Sequence, residues 1–183
     1  MREYLEAAEL NMKKTTEVVS RDFASLRAGR ATPALLDKIH VDYYGTPTPI
    51  NQLATISVPE ARMLVIQPWD KSALGDIERA ILKSDLGITP TSDGNVIRLV
   101  VPQLTEERRR ELVKYLKKRG EEGKVAIRNI RRDTLEQLKA LKDEGFPEDE
   151  LRRIQDEVQK LTDRYVKEID RIVAAKEKEL MEI

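Results

Sequence analysis

Apolar positions along this chain follow two rhythms, and the switches between them lay out the domain plan. In residues 1–29, Leu5, Ala8, Met12, Val19 and Leu26 recur at spacings of three, four and seven, the period of a helix. Gly29 is a natural stop, because glycine accepts the left-handed conformation just past a helix end, and Pro33 resists continuation. Beyond residue 34, Ile39, Val41 and Tyr43 alternate with His40, Asp42 and Tyr44, the period of a strand. GTPTP (45–49) reads as a turn or an irregular edge. Ala54–Val58 and Met63–Gln67 read as short strands separated by Pro59. Residues 71–86 read as one helix with Leu74, Ile77, Ile81 and Leu82 on a face. TSDG (91–94) is turn chemistry, and the β-branched run 96–101 ends at Pro102.

The helical rhythm returns at Thr105, a good N-cap followed by Glu106 and Glu107, which complement the helix dipole. The stripe Leu112, Leu116, Gly120, Gly123, Ile127, Ile130, Thr134, Leu138, Leu141 predicts a helix to about Glu144, roughly 60 Å long at 1.5 Å per residue. Gly120 and Gly123 weaken it, yet they fall on its inner face, where a neighbouring helix can come close. Gly145-Phe-Pro147 breaks the chain, and Pro147 with Glu148, Asp149 and Glu150 opens another helix. Its stripe is Leu151, Ile154, Val158, Leu161, Tyr165, Ile169, Ile172.

The short link between the last two helices makes them antiparallel neighbours, and the stripe of residues 1–29 needs a partner. The economical solution is an α+β fold: a long three-helix bundle from residues 1–29 and 105–183, with a small β/α/β domain, residues 30–104, inserted. The connections near 30–33 and 102–104, with Gly29, Arg30, Pro33, Pro102 and Leu104, are candidate hinges. The rival reading is one continuous globule, against which the composition breaks at both connections.

Composition narrows the function. The chain has 183 residues, with 36% charged and only 4% aromatic, which suits long amphipathic helices. There are no cysteines, which excludes a disulfide framework, thiolate metal sites and a cysteine nucleophile. No run of eighteen apolar residues predicts a membrane span, and the N-terminus lacks the apolar stretch of a secretory signal. A cytoplasmic, monomeric protein without cofactor or metal is the expectation.

The net charge of zero hides a strong local asymmetry. Residues 108–132 hold eleven basic residues against Glu111, Glu121 and Glu122. Arg110, Lys114, Lys117, Lys124, Arg128 and Arg131 follow one another at helical steps and are expected opposite the core seam. Arg132 flanks them, and Glu121 and Leu135 interrupt them. Such a stripe runs roughly 33 Å and suits a row of phosphates. Read on these residues alone, it fits a solvated helix face equally well.

Catalytic chemistry is missing. His40 is the one histidine and reads as surface; Trp69 reads as core of the small domain. No HExxH, phosphate-loop or GxGxxG pattern occurs, so the chain is not expected to be an enzyme.

Specific stretches carry a resemblance. LRAGRATPALLDKIHVDYYGTPTPINQLATISVPE (26–60), SDLGITP (84–90), LTEERRRELVK (104–114), VAIRNIRRD (125–133) and IQDEVQKLTD (154–163) resemble bacterial ribosome recycling factors along essentially the full chain. The resemblance implies an L-shaped molecule with two hinge strands. It also implies a partner: the post-termination ribosome, whose subunits are split with elongation factor G and GTP. It places the bundle on large-subunit RNA through Arg109, Arg128 and Arg131, with Arg132 in the same motif, and makes the small domain the part that elongation factor G contacts. The basic stripe adds Arg110, Lys117 and Lys124 as candidate RNA-binding residues. A helical adaptor or chaperone that binds proteins through its bundle is the alternative.

Overall fold

A computed structural model describes residues 1–24, 26 and 29–182. By its internal contacts the chain divides into two compact units, Met1–Arg27 with Glu106–Glu182, and Ala28–Thr105.

The first unit is three helices: α1 (Arg2–Ala24), α3 (Glu106–Asp143) and α4 (Glu148–Met181). Each buries one stripe against the other two. α1 contributes Leu5, Ala8, Met12, Val19 and Phe23. Leu112, Leu116, Ile127, Leu138 and Leu141 come from α3, and Leu151, Ile154, Val158 and Ile169 from α4. Three threonines also reach this core, and each satisfies its hydroxyl on its own helix: Thr16 on Lys13 O, Thr134 on Ile130 O and Thr162 on Val158 O.

The glycines of α3 do what their position suggests. A methyl group at Gly120 would stand 2.6 Å from Val173 Cγ2. One at Gly123 would stand 3.1 Å from Val19 Cγ2 and 3.3 Å from Ile169 Cδ1. Both neighbouring helices therefore press on the α3 backbone here. α3 ends in a Schellman turn: Gly145 has φ +90°, its N–H reaches Lys142 O, and Phe146 N–H reaches Leu141 O. Pro147 then caps α4, whose first turn carries Glu148, Asp149 and Glu150.

α1 is shorter than its predicted 29 residues. It stops at Ala24; Leu26 and Gly29 are not helical, and positions 25, 27 and 28 of that prediction lie outside the described residues. Gly29 does adopt the left-handed conformation, φ +75°.

The second unit holds a hairpin, β1 (His40–Tyr43) with β2 (Thr46–Pro49), and a four-stranded antiparallel sheet. The sheet has the order β3 (Ala54–Glu60), β4 (Met63–Pro68), β6 (Ile97–Val100), β5 (Thr91–Ser92). α2 (Leu74–Lys83) joins β4 to β5 and drives Ile77 and Ile81 into the core. Cross-strand pairs Leu64–Leu99 and Ile66–Ile97 fill the same core. The chain enters and leaves this unit side by side: Ala31 N–H bonds Ala61 O at 2.8 Å, and Val101 N–H bonds Arg62 O at 2.7 Å.

GTPTP supplies both parts of its expected turn or irregular edge: Gly45 completes the tight turn with Tyr44, and Thr46–Pro49 pair as an edge strand, where proline is tolerated. Four local predictions need correction. Thr91 and Ser92 of TSDG pair with β6 as β5 rather than lying in the turn. Pro59 lies within β3, at a register shift between Ser57 and Glu60. The helix starting at Lys71 opens as a 3₁₀ turn, and Leu82 points outward while Leu86 is buried beyond the helix end. Trp69 is not core. It is 67% exposed, with Nε1 donating to Thr55 Oγ1.

Candidate nucleic-acid interface

A helix turns about 100° per residue, so each cation of α3 has a fixed bearing from the buried seam. Arg110 and Arg128 lie about 120° from Leu116, Lys117 about 100°, and Lys114 and Arg132 about 160°. All five are exposed. Lys124 and Arg131 lie nearer, at about 80° and 60°. They are therefore on the flank facing α4 rather than opposite the seam.

That difference changes what each charge can do. Lys124 is 16% exposed and sits between Asp170 at 2.6 Å and Glu121 at 2.9 Å. Hydrogen bonding, first to Asp170 and then to Glu121, holds its ammonium protonated above the ordinary lysine range. Its charge is answered within the bundle. Arg131 is half-buried; one Nη reaches Gln159 Oε1 at 3.4 Å, and its buried Nε has no hydrogen-bond partner. One long hydrogen bond to Gln159 leaves most of this guanidinium's donors still to satisfy. Arg109, two turns before Leu116, is on the core side of the helix and half-buried, away from the stripe.

Among the exposed cations, Arg110 bonds Glu106 at 2.7 Å, an i, i+4 pair on the surface. Arg132 donates to Asn129 Oδ1 at 3.1 Å, which aligns its side chain along the helix. Arg119, on the opposite flank, is paired with Asp22 at 2.9 Å and ties α3 to α1.

The geometry gathers Arg128, Arg131 and Arg132 around a shallow depression of about 300 Å³, together with Leu135, Glu136 and Lys139. Leu135 is half-buried at this site rather than an isolated apolar residue on a polar face. Lys139 is the residue that sequence reasoning missed. It stands seven positions after Arg132, two helical turns, so continuing the same step along α3 finds it. Lys139 also borders a second depression with Lys142, Leu151 and Arg152, where Glu148 pairs with Lys142 at 3.0 Å and weakens the basic surface as α4 begins. Arginines that present planar donors beside an apolar floor suit phosphates flanked by a sugar or base.

The five hinge candidates are placed as follows. Gly29 is buried, Arg30 and Leu104 are half-buried, and Pro33 and Pro102 are exposed. Pro33 opens a 3₁₀ turn, Pro33–Leu36. No helix among the described residues is long and apolar enough to cross a membrane.

Comparison with known proteins gives a consistent result. The family profile described as "Ribosome recycling factor" matches residues 19–181. The ribosome-recycling factor of Desulforamulus reducens is 67% identical over 183 residues, covering all of both chains. That of Pelotomaculum thermopropionicum is 71% identical over 182 residues, covering 99% of this chain and 98% of its own. Among solved structures, a solution structure of ribosome recycling factor aligns with TM-score 0.79 at 48% identity, covering 100% of this chain and 97% of that one. A Thermus thermophilus ribosome recycling factor, described with Escherichia coli elongation factor G on the post-termination complex, aligns with TM-score 0.62 at 45% identity, covering 98% of each chain. The chain belongs to the ribosome recycling factor family.

Proposed function

We propose that this protein binds the post-termination ribosome and, with elongation factor G and GTP, splits it into subunits for a new round of initiation. The observation that carries this reading is the end-to-end kinship with recycling factors, which spans both units. The bundle supplies the RNA contact. Arg128, Arg131 and Arg132 meet phosphates of the large subunit around the α3 depression, with Lys139 extending the contact and Arg110 and Lys117 continuing it toward the helix start. Lys124 acts differently and holds α4 against α3 through Asp170. Arg109, half-buried near the start of α3, joins the RNA contact from that end.

Nothing in this role needs a reacting group on the chain. Among the described residues no three His, Cys, Asp or Glu side chains gather as metal ligands. The chemical step, GTP hydrolysis, belongs to the elongation factor, and this protein transmits its effect. Gly29, Arg30, Pro33, Pro102 and Leu104 are the positions where the two units pivot. The site of action is the cytoplasm, where spent ribosomes are.

The test is subunit splitting with purified ribosomes stalled after termination, followed by light scattering. Splitting that requires this protein, elongation factor G and GTP together is the expected result. No splitting, and no co-sedimentation with ribosomes at moderate salt, overturns the reading and favours a protein-binding adaptor.

A further inference from the structure

The depression on α3 is not purely basic. Among its cations stands Glu136, an exposed carboxylate with no ion-pair partner among the described residues. Partners are available at the right helical steps, with Arg132 four residues before it and Lys139 three after. Yet Arg132 turns the other way and donates to Asn129 Oδ1 at 3.1 Å, and Lys139 forms no ion pair with Glu136. Glu136 also lies about 160° round the helix from Leu116, away from the seam, so packing does not explain it.

A surface that meets only phosphates is weakened by a bare carboxylate, because like charges repel. Phosphate contacts position an RNA without reading its sequence, and base edges carry the sequence information. An ionised carboxylate only accepts, through two oxygens. Guanine is the base that suits it. Its Watson–Crick edge offers two adjacent donors, N1–H and the N2 amino group, while its O6 and N7 accept from arginine. Adenine and cytosine offer one amino group beside an acceptor, and uracil one N–H between two carbonyls. In RNA these edges are open on unpaired nucleotides, whose bases can stack on guanidinium planes. The depression supplies the matching parts: Arg128, Arg131 and Arg132 for stacking or for O6 and N7, half-buried Leu135 as apolar floor, and Glu136 for the donors.

We infer that Glu136 is a specificity-determining residue, whose carboxylate accepts from N1–H and the N2 amino group of an unpaired ribosomal-RNA guanine seated in this depression. This rests on the RNA contact proposed above and adds base discrimination to it.

Glu136→Gln separates this role from that of an ordinary surface charge, because the two predict opposite signs. The residue is exposed, so the fold should be nearly untouched. Removing a negative charge from a surface that meets only phosphates should tighten ribosome binding. Losing a guanine contact should weaken it about tenfold, the scale of one bidentate base contact. The salt slope should stay unchanged, since no phosphate contact is lost. The second readout is kethoxal, which modifies N1 and N2 of unpaired guanines. Ribosomes saturated with the parent protein should show a guanine protected at these atoms, and saturation with Glu136→Gln should leave that guanine reactive. Unchanged or tighter binding of the variant overturns the assignment. Weaker binding with the protection intact also overturns it and gives Glu136 a cation of a ribosomal protein instead. A parent that binds ribosomes without protecting any guanine removes the guanine site while the proposed function stands. A parent that does not bind ribosomes at all overturns the functional reading, and the guanine site with it.

Discussion

The two units bury their apolar residues in different ways, and the difference explains where each displays its chemistry. The bundle spreads a thin core along long helices, one stripe per helix, so most of its circumference stays wet. That leaves room for a basic surface built by simple repetition of a helical step. The small unit gathers Ile66, Ile77, Ile81, Ile97 and Leu99, all fully buried, around a sheet and one short helix. Its exposed features are few and sit on turns, each held by particular hydrogen bonds. A bundle tolerates change on its wet faces and is sensitive where helices touch; the small unit is sensitive throughout its centre.

The sharpest way to break this comparison is to damage each core separately. Ile77→Ala and Leu116→Ala each remove a fully buried side chain, with an expected cost of about 2–5 kcal/mol. The chain has one tryptophan, Trp69, so its fluorescence reports on the small unit, while far-ultraviolet helicity reports mainly on the bundle. Ile77→Ala should lower the fluorescence transition and leave the helical one in place, and Leu116→Ala should do the reverse. Coincident shifts in both variants would show one cooperative unit, and the division argued here would be wrong.

A gentler pair compares glycines. Gly120→Ala gains about 1 kcal/mol of helix propensity but forces a methyl group against Val173 Cγ2, a short and stiff neighbour. Overpacking costs about 1–3 kcal/mol, so a net destabilisation of about 1 kcal/mol is expected in the bundle. Gly75→Ala, in α2, meets no atom within 4 Å. It should stabilise the small unit by a few tenths to about 1 kcal/mol. Denaturant midpoints of opposite sign are the expected outcome. A stabilised Gly120→Ala would mean the helices part more easily than their contact implies.

Within the bundle, the wet face and the flank can be separated by salt. Arg128 is exposed and has no ion-pair partner among the described residues, whereas Lys124 is balanced by Asp170 and Glu121. Arg128→Ala should lower the slope of log affinity for ribosomes against log salt by roughly 0.7–0.9. Lys124→Ala should leave the slope nearly unchanged and weaken the bundle instead. Equal slopes for the two variants would remove the distinction drawn between them.

How much of this could be read in advance follows from the same contrast. Helical stripes are periodic, so the three long helices and their buried residues were legible, as were the inner-face glycines. Even there, the 100° step from Leu116 already puts Lys124 and Arg131 on the flank of the seam, and what it leaves open is that α4 covers that flank with Asp170 and Gln159. Lys139 lies two turns past Arg132, on the continuation of the same helical step. The small unit was harder. GTPTP carries two prolines and reads as a turn or an irregular edge, and the Tyr44-Gly45 turn makes it both by pairing 46–49 with β1. Residue type alone points Trp69 to the core, and no periodic signal exists for a single aromatic on a turn. Phe23, four residues after Val19, completes the α1 stripe in the core at a position the three-four-seven spacing to Leu26 passes over.

The smallest effect expected concerns acid. Asp93 accepts from the N–H groups of Val96 and Asn95, each at 3.0 Å, and from Arg98 at 2.8 Å. Those backbone bonds first, and Arg98 after them, hold its carboxyl well below the usual carboxylate range. A carboxyl lowered by folding contributes fully above its unfolded value, near 3.8, and loses that contribution as pH falls through the lower folded value. The small unit should therefore lose stability below about pH 4, and Asp93→Asn should flatten that loss. In the bundle, Glu168 is lowered by its hydrogen bonds and charge pairing with Arg171 on an exposed helix face. Added salt screens an exposed ion pair but does not replace two backbone N–H donors. Trp69 fluorescence against pH should keep its Asp93-dependent step in high salt, while any step that Glu168→Gln removes from the helical signal should fade. If salt erases the Asp93 step as well, Arg98 dominates that turn, and the small unit relies on surface charge as the bundle does.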